Sequence, residues 1–484
     1  MSIILALDLG TTGNRAIAFN KKAEIVAQSY YEFEQHFPEP AWVEHDPIEI
    51  WDTAQKALKD VLDQVGVENV VSMGITNQRE TTILWDKTTG KPVYNAIVWQ
   101  CRRTADRCKQ LEGYAPMIKE KTGLFLDAYF SASKIEWILE TIPEAMNLAT
   151  QDKLLFGTVD SWILWNLTKG KVHATDTSNA SRTMLFNIHT MAYSSDLLQL
   201  FNISESILPQ VRDSDTYFGD TDTEITGKSI PIRAILGDQQ AALFAQCGSD
   251  STQVKNTYGT GLFVMANIGK KPIESDRLIT TVAWTESGKT YYALEGSVFV
   301  GGAAIQWLRD GIEILEDAAQ TQSLAETLDD NEGVYFVPAL TGLGAPTWDP
   351  DARGLIIGLT RGTTRAHLAR AALESIAFQT QDVIAAMPNA FTTLKVDGGA
   401  SANPFLMQFQ ADISDLIIQR PTVTESTALG VAGLAGIAAS FWTHEQFRDC
   451  VELAATFEPT MSEIDRRPLM TRWHDAVSRA TGWA

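Results

Sequence analysis

Basic residues are scarce in this chain: 39 Lys and Arg stand against 60 Asp and Glu, for a net charge of −21. Such a surface repels phosphate backbones and anionic lipid, so neither nucleic acid nor a membrane surface is an expected partner. Any nucleotide must instead be gripped by local groups. Cysteine is sparse too. Cys101, Cys108, Cys247 and Cys450 form no CxxC pair and no zinc spacing, which points to reduced, structural thiols in a cytoplasm. The seven histidines show no metal-ligand spacing, and His45 reads as structural. No apolar run approaches the roughly 20 residues of a membrane span. The apolar start stops at Asp8 without a basic lead-in, so no signal peptide is expected. No segment is of low complexity.

What is there is a 484-residue chain with 45% apolar and 20% charged residues, ordinary for a globular protein and too long for one core, so two domains are expected. Residues 3–7 read as a buried strand, 10–14 as a turn, 15–19 as the returning strand and 24–33 as a third. Asp46-Pro47-Ile48-Glu49 carries the marks of a helix start, with Asp46 as cap, Pro47 in first position and Glu49 completing a capping box. Ile50, Trp51, Ala54, Leu58, Val61, Leu62 and Val65 follow at helical spacing. Residues 70–75 read as the next strand, giving the order β-β-β-α-β. A similar order returns past the middle. Strands at 254–257 and 262–266 flank Gly259-Thr260-Gly261, with further strands at 278–284, 291–295, 333–338 and 394–399. Helices are predicted from about Gly302, over 364–387, and over the small-residue stretch 426–441. Two halves that open alike suggest an internal duplication. The boundary falls in the polar stretch Cys247-Gly-Ser-Asp-Ser251, dividing 1–248 from 249–484.

Four stretches carry chemistry. In Gly74-Ile-Thr-Asn-Gln-Arg79-Glu80-Thr-Thr82 a strand ends with a cation and a carboxylate side by side. A fork of donors beside a pair of acceptors suits the adjacent hydroxyls of a small polyol. An exposed charge pair of little consequence would read the same way. Asp8-Leu-Gly10-Thr11-Thr12-Gly13-Asn14-Arg15 is either an ordinary hairpin turn or an anion nest. In the second case Thr hydroxyls and Arg15 would hold phosphate and Asp8 would hold Mg²⁺. The second turn, Tyr258-Gly259-Thr260-Gly261, favours the nest, because one such hairpin per half can grip a triphosphate from both sides of a cleft. A third glycine site, Asp397-Gly398-Gly399-Ala400-Ser401-Ala402-Asn403, lets a flat base approach the backbone. Asp238 precedes a helical stretch and could be a helix cap or a catalytic base. By residue type alone, Trp99, Tyr129 and Phe263 fit a core.

Tyr129-Phe-Ser-Ala-Ser-Lys134-Ile-Glu-Trp137 is similar to the first signature of the FGGY carbohydrate kinase family, within the actin-like and hexokinase-type ATPase superfamily. Gly342-Leu-Gly-Ala-Pro-Thr-Trp348-Asp-Pro-Asp-Ala-Arg353-Gly354 resembles its second, and the resemblance runs over nearly the whole length. Asn77-Gln-Arg-Glu-Thr-Thr82, Trp99-Gln-Cys-Arg-Arg103 and Gly237-Asp-Gln-Gln240 resemble the members that phosphorylate glycerol. Members acting on xylulose usually carry a Gly-Gln-Met-His-Gly type segment in place of the first of these.

The resemblance implies an α/β fold of two actin-like (ribonuclease H-like) ATPase domains, each a mixed sheet flanked by helices, with the active site in the cleft between them. It implies ATP-dependent conversion of glycerol to sn-glycerol 3-phosphate in glycerol catabolism, by a cytoplasmic homo-oligomer, dimer or tetramer. Asp238 would be the general base. Arg79, Glu80, Tyr129, Asp238 and Gln239 would meet the glycerol hydroxyls, and Trp99 and Phe263 would wall its CH₂ edge. Thr11, Thr12, Gly13, Arg15 and Thr260 would hold the phosphoryl groups of ATP. Gly302, Gln306, Gly399 and Asn403 would line the adenosine side, and Asp8 would hold Mg²⁺. The chain departs from the pattern at Leu9, often Gln, and at Gly13-Asn14, more usually Ser-Ser, which removes two hydroxyls from the turn but leaves its backbone. Residues 221–233 lack the Gly-Gly-Thr-Arg loop that binds a sugar bisphosphate in some relatives, and 214–224 hold no His for regulatory phosphorylation. Two rivals remain in view: a kinase of the same family acting on a sugar or larger polyol, and an actin-like ATPase acting on protein clients. The Arg79-Glu80 pair and Trp99 argue against the second.

Overall fold

The computed structural model describes residues 2–484; Met1, the first residue of the predicted first domain, lies outside them. The first half builds a six-stranded sheet from β1 (Ile3–Leu9), β2 (Gly13–Phe19), β3 (Ile25–Glu32), β4 (Val70–Asn77), β5 (Gly219–Asp220) and β6 (Pro231–Gly237). The second builds a seven-stranded sheet from β7 (Gln253–Tyr258), β8 (Leu262–Gly269), β9 (Ile279–Glu286), β10 (Lys289–Val298), β11 (Thr393–Asp397), β12 (Ile417–Pro421) and β13 (Leu453–Phe457). In space they run β5-β6-β4-β1-β2-β3 and β13-β12-β11-β7-β8-β10-β9. Read in that order, each sheet goes antiparallel, parallel, parallel, antiparallel, antiparallel, and the second adds one more antiparallel strand. The duplication expected from the two opening hairpins thus extends to the whole sheet.

Helix α1 (Pro47–Val65) covers one face of the first sheet. Ile50, Ala54, Leu58, Val61 and Leu62 are buried as their spacing predicts, whereas Trp51 and Val65 lie at the rim. Each Ile, Leu or Val among them contributes about 1.5–3 kcal/mol on burial, and Ala54 less. The start of α1 differs from the prediction. Asp46 caps it by accepting from the Ile48 amide at 2.7 Å, but Glu49 does not close a capping box. Its carboxylate accepts from the Glu34 amide at 3.1 Å, beyond the end of β3, because the chain from β3 runs close to the helix start. The strand predicted over 333–338 contracts to Tyr335–Val337, and the helix predicted near Gly302 is one turn, Ala303–Gln306, running into a wider π turn, Trp307–Gly311.

The halves are tied by two helices. α2 (Asp238–Gln246) follows β6, and α4 (Ser426–Ala438), the predicted small-residue helix, packs on α2 and on β1, β4 and β6 of the first sheet. α3 (Arg365–Ala385) packs within the second half. Small residues in α4 allow backbone-to-backbone approach. A Cβ on Gly430 would lie 1.8 Å from the Ala241 carbonyl oxygen, and one on Gly74 would lie 2.6 Å from that of Val431. Ser72 Oγ donates to the Ala435 carbonyl at 3.1 Å across the same seam. Among the described residues no helix is long and apolar enough to cross a membrane.

Candidate active site

Parallel pairing puts the predicted residues together. Leu9 and Gly237 lie in register with Asn77 on either side of β4, so the turn after β1, the Arg79-Glu80 stretch after β4 and Asp238 after β6 emerge at one edge of the sheet. In open α/β sheets such carboxyl ends are where ligands bind. Gln78 secures the arrangement, its amide donating to the Leu9 carbonyl at 2.7 Å and its side chain to the Gly10 carbonyl at 3.0 Å. In the second half Thr257 and Asp397 are likewise in register, so the Gly259 turn and the Gly398-Gly399 site adjoin.

Arg79 and Glu80 are buried, which removes the surface-pair reading. Arg79 Nη1 and Nη2 donate to Glu295 Oε2 and Oε1 at 2.5 and 3.1 Å, Nη1 also donates to Gln240 Oε1 at 3.2 Å, and Nε lies 3.2 Å from Asp238 Oδ1. Glu80 takes a left-handed backbone conformation, φ 61°, which costs about 1–3 kcal/mol for a residue with a side chain. Its carbonyl accepts from Ser131 Oγ at 3.0 Å and Thr82 Oγ1 at 3.1 Å, and its carboxylate accepts from Arg182 Nε at 2.6 Å. Asp238 stands at the start of α2, where it caps nothing beyond its own neighbour, the Gln239 amide at 2.7 Å. Its side chain is 31% exposed. Burial raises its proton affinity above that of an ordinary carboxylate, with Arg79 opposing. Gln239 accepts from the buried Lys255 Nζ.

Trp99, Tyr129 and Phe263 form a half-buried aromatic wall, with ring centroids 5.7 Å apart for Trp99–Tyr129 and 6.4 Å for Trp99–Phe263. Trp99 Nε1 donates to Thr11 Oγ1 at 3.0 Å, so the wall is joined directly to the first turn. Burial raises the Tyr129 hydroxyl well above the ordinary phenol range, so it stays protonated.

Both glycine turns close alike, with Gly10 N donating to Gly13 O at 3.0 Å and Gly259 N to Gly261 O at 3.0 Å. The departures at Gly13-Asn14 have a packing cause. A Cβ on Gly13 would sit 2.7 Å from the Tyr30 hydroxyl, and Asn14 Nδ2 is drawn into the start of α1, donating to Ile50 O and Thr53 Oγ1 at 2.8 Å each. Asn14 therefore faces away from the turn, while Thr12 is exposed and Thr11 half-buried. Arg15 stands opposite Asp8 in the β1–β2 ladder and pairs with Glu425, at the head of α4. Thr260 is exposed, and its carbonyl accepts from Gly301 and Ala303 amides at 2.8 and 3.1 Å. Gly302 donates to Gly259 O at 2.9 Å, and a Cβ on Gly398 would lie 2.6 Å from Tyr258 O, so both glycines let backbone close on the second turn. Gly399 faces open space and Gln306 is exposed. Asn403 spends its side chain as a cap, accepting from the Leu406 amide at 3.1 Å.

Asp8 is the one carboxylate predicted for a cation. Among the described residues no three His, Cys, Asp or Glu side chains cluster as a metal cage. Mg²⁺ in nucleotide sites needs only one or two carboxylates beside phosphate and water, so the residues present fit it. Burial raises Asp8 to about 7, with Arg15 opposing.

Sequence reasoning missed Arg182, Lys255 and Glu295, and gave Gln240, though part of a quoted motif, no role. Glu295 was visible as the one acid in β10, directly after the apolar stretch Tyr291–Leu294, a placement too costly without a buried partner.

Comparison with known proteins agrees over the full length. The FGGY family of carbohydrate kinases matches by its N-terminal domain at residues 3–245 and its C-terminal domain at 254–439. The chain is 53% identical to Glycerol kinase 2 of Thermotoga maritima, covering 100% of this chain and 99% of that one. It is 54% identical to the Glycerol kinase of Aquifex aeolicus, with all of both chains covered. The crystal structure of Plasmodium falciparum glycerol kinase with ADP superposes with a TM-score of 0.93 at 35% identity, covering 99% and 98% of the two chains. The gluconate kinase of Lactobacillus acidophilus superposes at 0.90 with 21% identity, a likeness of fold. Sheet topology, site geometry and these matches have one reading: the chain belongs to the FGGY family of carbohydrate kinases.

Proposed function

We propose that the chain is an ATP-dependent glycerol kinase, transferring the γ-phosphoryl group of ATP to glycerol to give sn-glycerol 3-phosphate and ADP. The observation that carries this reading is the meeting of Arg79, Glu80 and Asp238 beside the wall of Trp99, Tyr129 and Phe263. Charged donors and acceptors next to an apolar face suit a molecule with hydroxyls on one side and CH₂ on the other. The relatives named above, matched over whole chains, support the same substrate.

In this reading Arg79, Glu80, Tyr129 and Gln239 hold the glycerol hydroxyls, and the Asp238 carboxylate accepts the proton as oxygen attacks the γ-phosphorus. Thr11, Thr12, Gly13, Arg15 and Thr260 hold phosphoryl oxygens, while Gly302, Gln306, Gly399 and Asn403 line the adenosine side. Mg²⁺ held by Asp8 would neutralise phosphate charge. Most of the rate comes from positioning, since phosphoryl transfer leaves little covalent work for the protein. The lobes divide near residue 248, in keeping with the gap between the two family matches. The chain would work as a cytoplasmic homo-oligomer, dimer or tetramer, in glycerol catabolism; its four free cysteines suit a reducing compartment. Phosphorus NMR of a reaction with Mg·ATP and glycerol tests the proposal. A new phosphomonoester signal matching sn-glycerol 3-phosphate is expected, and inorganic phosphate as the sole product would refute it.

A further inference from the structure

Arg79 and Glu80 are held by two buried residues that no substrate contact requires. Glu295, from β10 in the second half, takes both terminal nitrogens of Arg79. Arg182, in the first half, donates through Nη2 to Glu295 Oε1 at 3.1 Å and through Nε to Glu80 Oε1 at 2.6 Å. The four side chains form a ring, Arg79–Glu295–Arg182–Glu80, closed by a longer contact of 3.8 Å from Arg79 Nε to Glu80 Oε1, and each is at least 97% buried. Two guanidinium groups share the Glu295 carboxylate, which holds it at about 2 in spite of burial.

Counting donors and acceptors shows what the Arg79–Glu80 pair leaves over; elsewhere in the ring the buried Arg182 Nη1 has no hydrogen-bond partner among the described residues. Guanidinium has five N–H groups. On Arg79, Nη1 serves Glu295 and Gln240, Nη2 gives one hydrogen to Glu295, and Nε faces Asp238. One Nη2 hydrogen remains. On Glu80, Oε1 belongs to Arg182 and Oε2 has no partner among the described residues. The pair therefore keeps one donor and one acceptor oxygen, the set that two neighbouring hydroxyls of a 1,2-diol would use.

We propose that Glu295 is a positioning residue for polyol recognition: by pinning Arg79 and Arg182 it fixes which donor and which acceptor face the diol, and because it comes from the second half, the hydroxyl-binding pair is complete only when both halves are docked. The inference rests on the reading of Arg79 and Glu80 as polyol-binding.

The test is steady-state kinetics of the full chain with Glu295→Gln and Glu295→Asp, with wild type alongside. Glu295→Gln keeps the shape but leaves two cations facing each other over one remaining carboxylate. It is expected to raise the glycerol KM at least ~10-fold, the scale of one charge-assisted hydrogen bond, with kcat reduced less and the ATP KM within about threefold. Glu295→Asp keeps the charge but shortens the reach, and a smaller rise is expected. A glycerol KM within about threefold of wild type in both variants would overturn the proposal. So would parallel losses in kcat and both KM values that track loss of folded protein by circular dichroism, or failure of both variants to fold, since Glu295 would then be structural. If wild type itself showed no glycerol-dependent ADP release, the underlying polyol reading would fall instead.

Discussion

Arg15 in the first glycine hairpin and Glu425 at the head of α4 form an ion pair from one half of the molecule to the other, with side chains 28% and 32% exposed. The residue expected to meet ATP phosphate is thus held by a carboxylate from the opposite half. Binding of the nucleotide must displace or share it. A partly exposed pair of this kind is worth about 0.2–1 kcal/mol. Replacing Glu425 with Gln is therefore expected to lower the ATP KM by at most ~5-fold, and Arg15→Ala to raise it. A rise in the Glu425→Gln enzyme would mean that Glu425 assists the nucleotide.

Asp238 supplies the base in the proposed reaction. Asp238→Asn preserves shape but cannot accept the proton, and turnover is expected to fall by roughly 10²–10⁴-fold in an ADP-release assay. Nucleotide binding, followed by isothermal titration with ADP, is expected to change little. Near-normal turnover in this variant would remove Asp238 from the chemistry.

The α2–α4 crossing depends on the absence of a side chain at Gly430. Gly430→Ala must push α4 away from the Ala241 carbonyl, at a cost of about 1–3 kcal/mol or more. Thermal unfolding is expected to show a Tm lower by several degrees. Gly113→Ala is the control, because a Cβ there meets nothing within 4 Å, and its Tm is expected to stay near that of wild type.

His45 makes stability depend on pH. The ring is fully buried, its Nε2 2.7 Å from Gln35 Oε1, and burial lowers it to about 3. As pH falls below the ordinary value of 6.5, the unfolded chain takes up this proton before the folded one does. The stability is whole above 6.5 and is lost progressively toward 3. At about 1.4 kcal/mol per pH unit, the loss reaches on the order of 3 kcal/mol by pH 4. Urea unfolding at pH 7 and pH 4 is expected to show a smaller difference for His45→Gln than for wild type; an equal difference would show that His45 is not the group titrating.

The parts of this site that could be read from the sequence are those in which neighbouring residues carry the chemistry. Gly10–Gly13, Gly259–Gly261 and Arg79-Glu80 announce themselves because each turn or charge pair is local. Glu295 and Arg182 do not, since their meaning lies in contacts more than 100 residues away in sequence, although a lone acid within β10 was a usable sign. Gly13-Asn14 looked like a loss of phosphate ligands. Its cause lies in Tyr30 on the neighbouring strand and in the start of α1, which no local pattern reveals. The Asp46–Glu49 capping box failed for a similar reason, because the chain beyond β3 competes for Glu49. The small residues of α4 were plain in the sequence, but their use in close packing against the sheet of the other half was not.

The most direct test of the whole account is ATP consumption by the purified protein with Mg²⁺, measured with and without glycerol. The account predicts ADP release that starts with glycerol and is at least ~10-fold slower without it, because the hydroxyl held beside Asp238 is the intended acceptor. Equal ATP consumption in both conditions, or turnover with a ketose such as xylulose and none with glycerol, would contradict it.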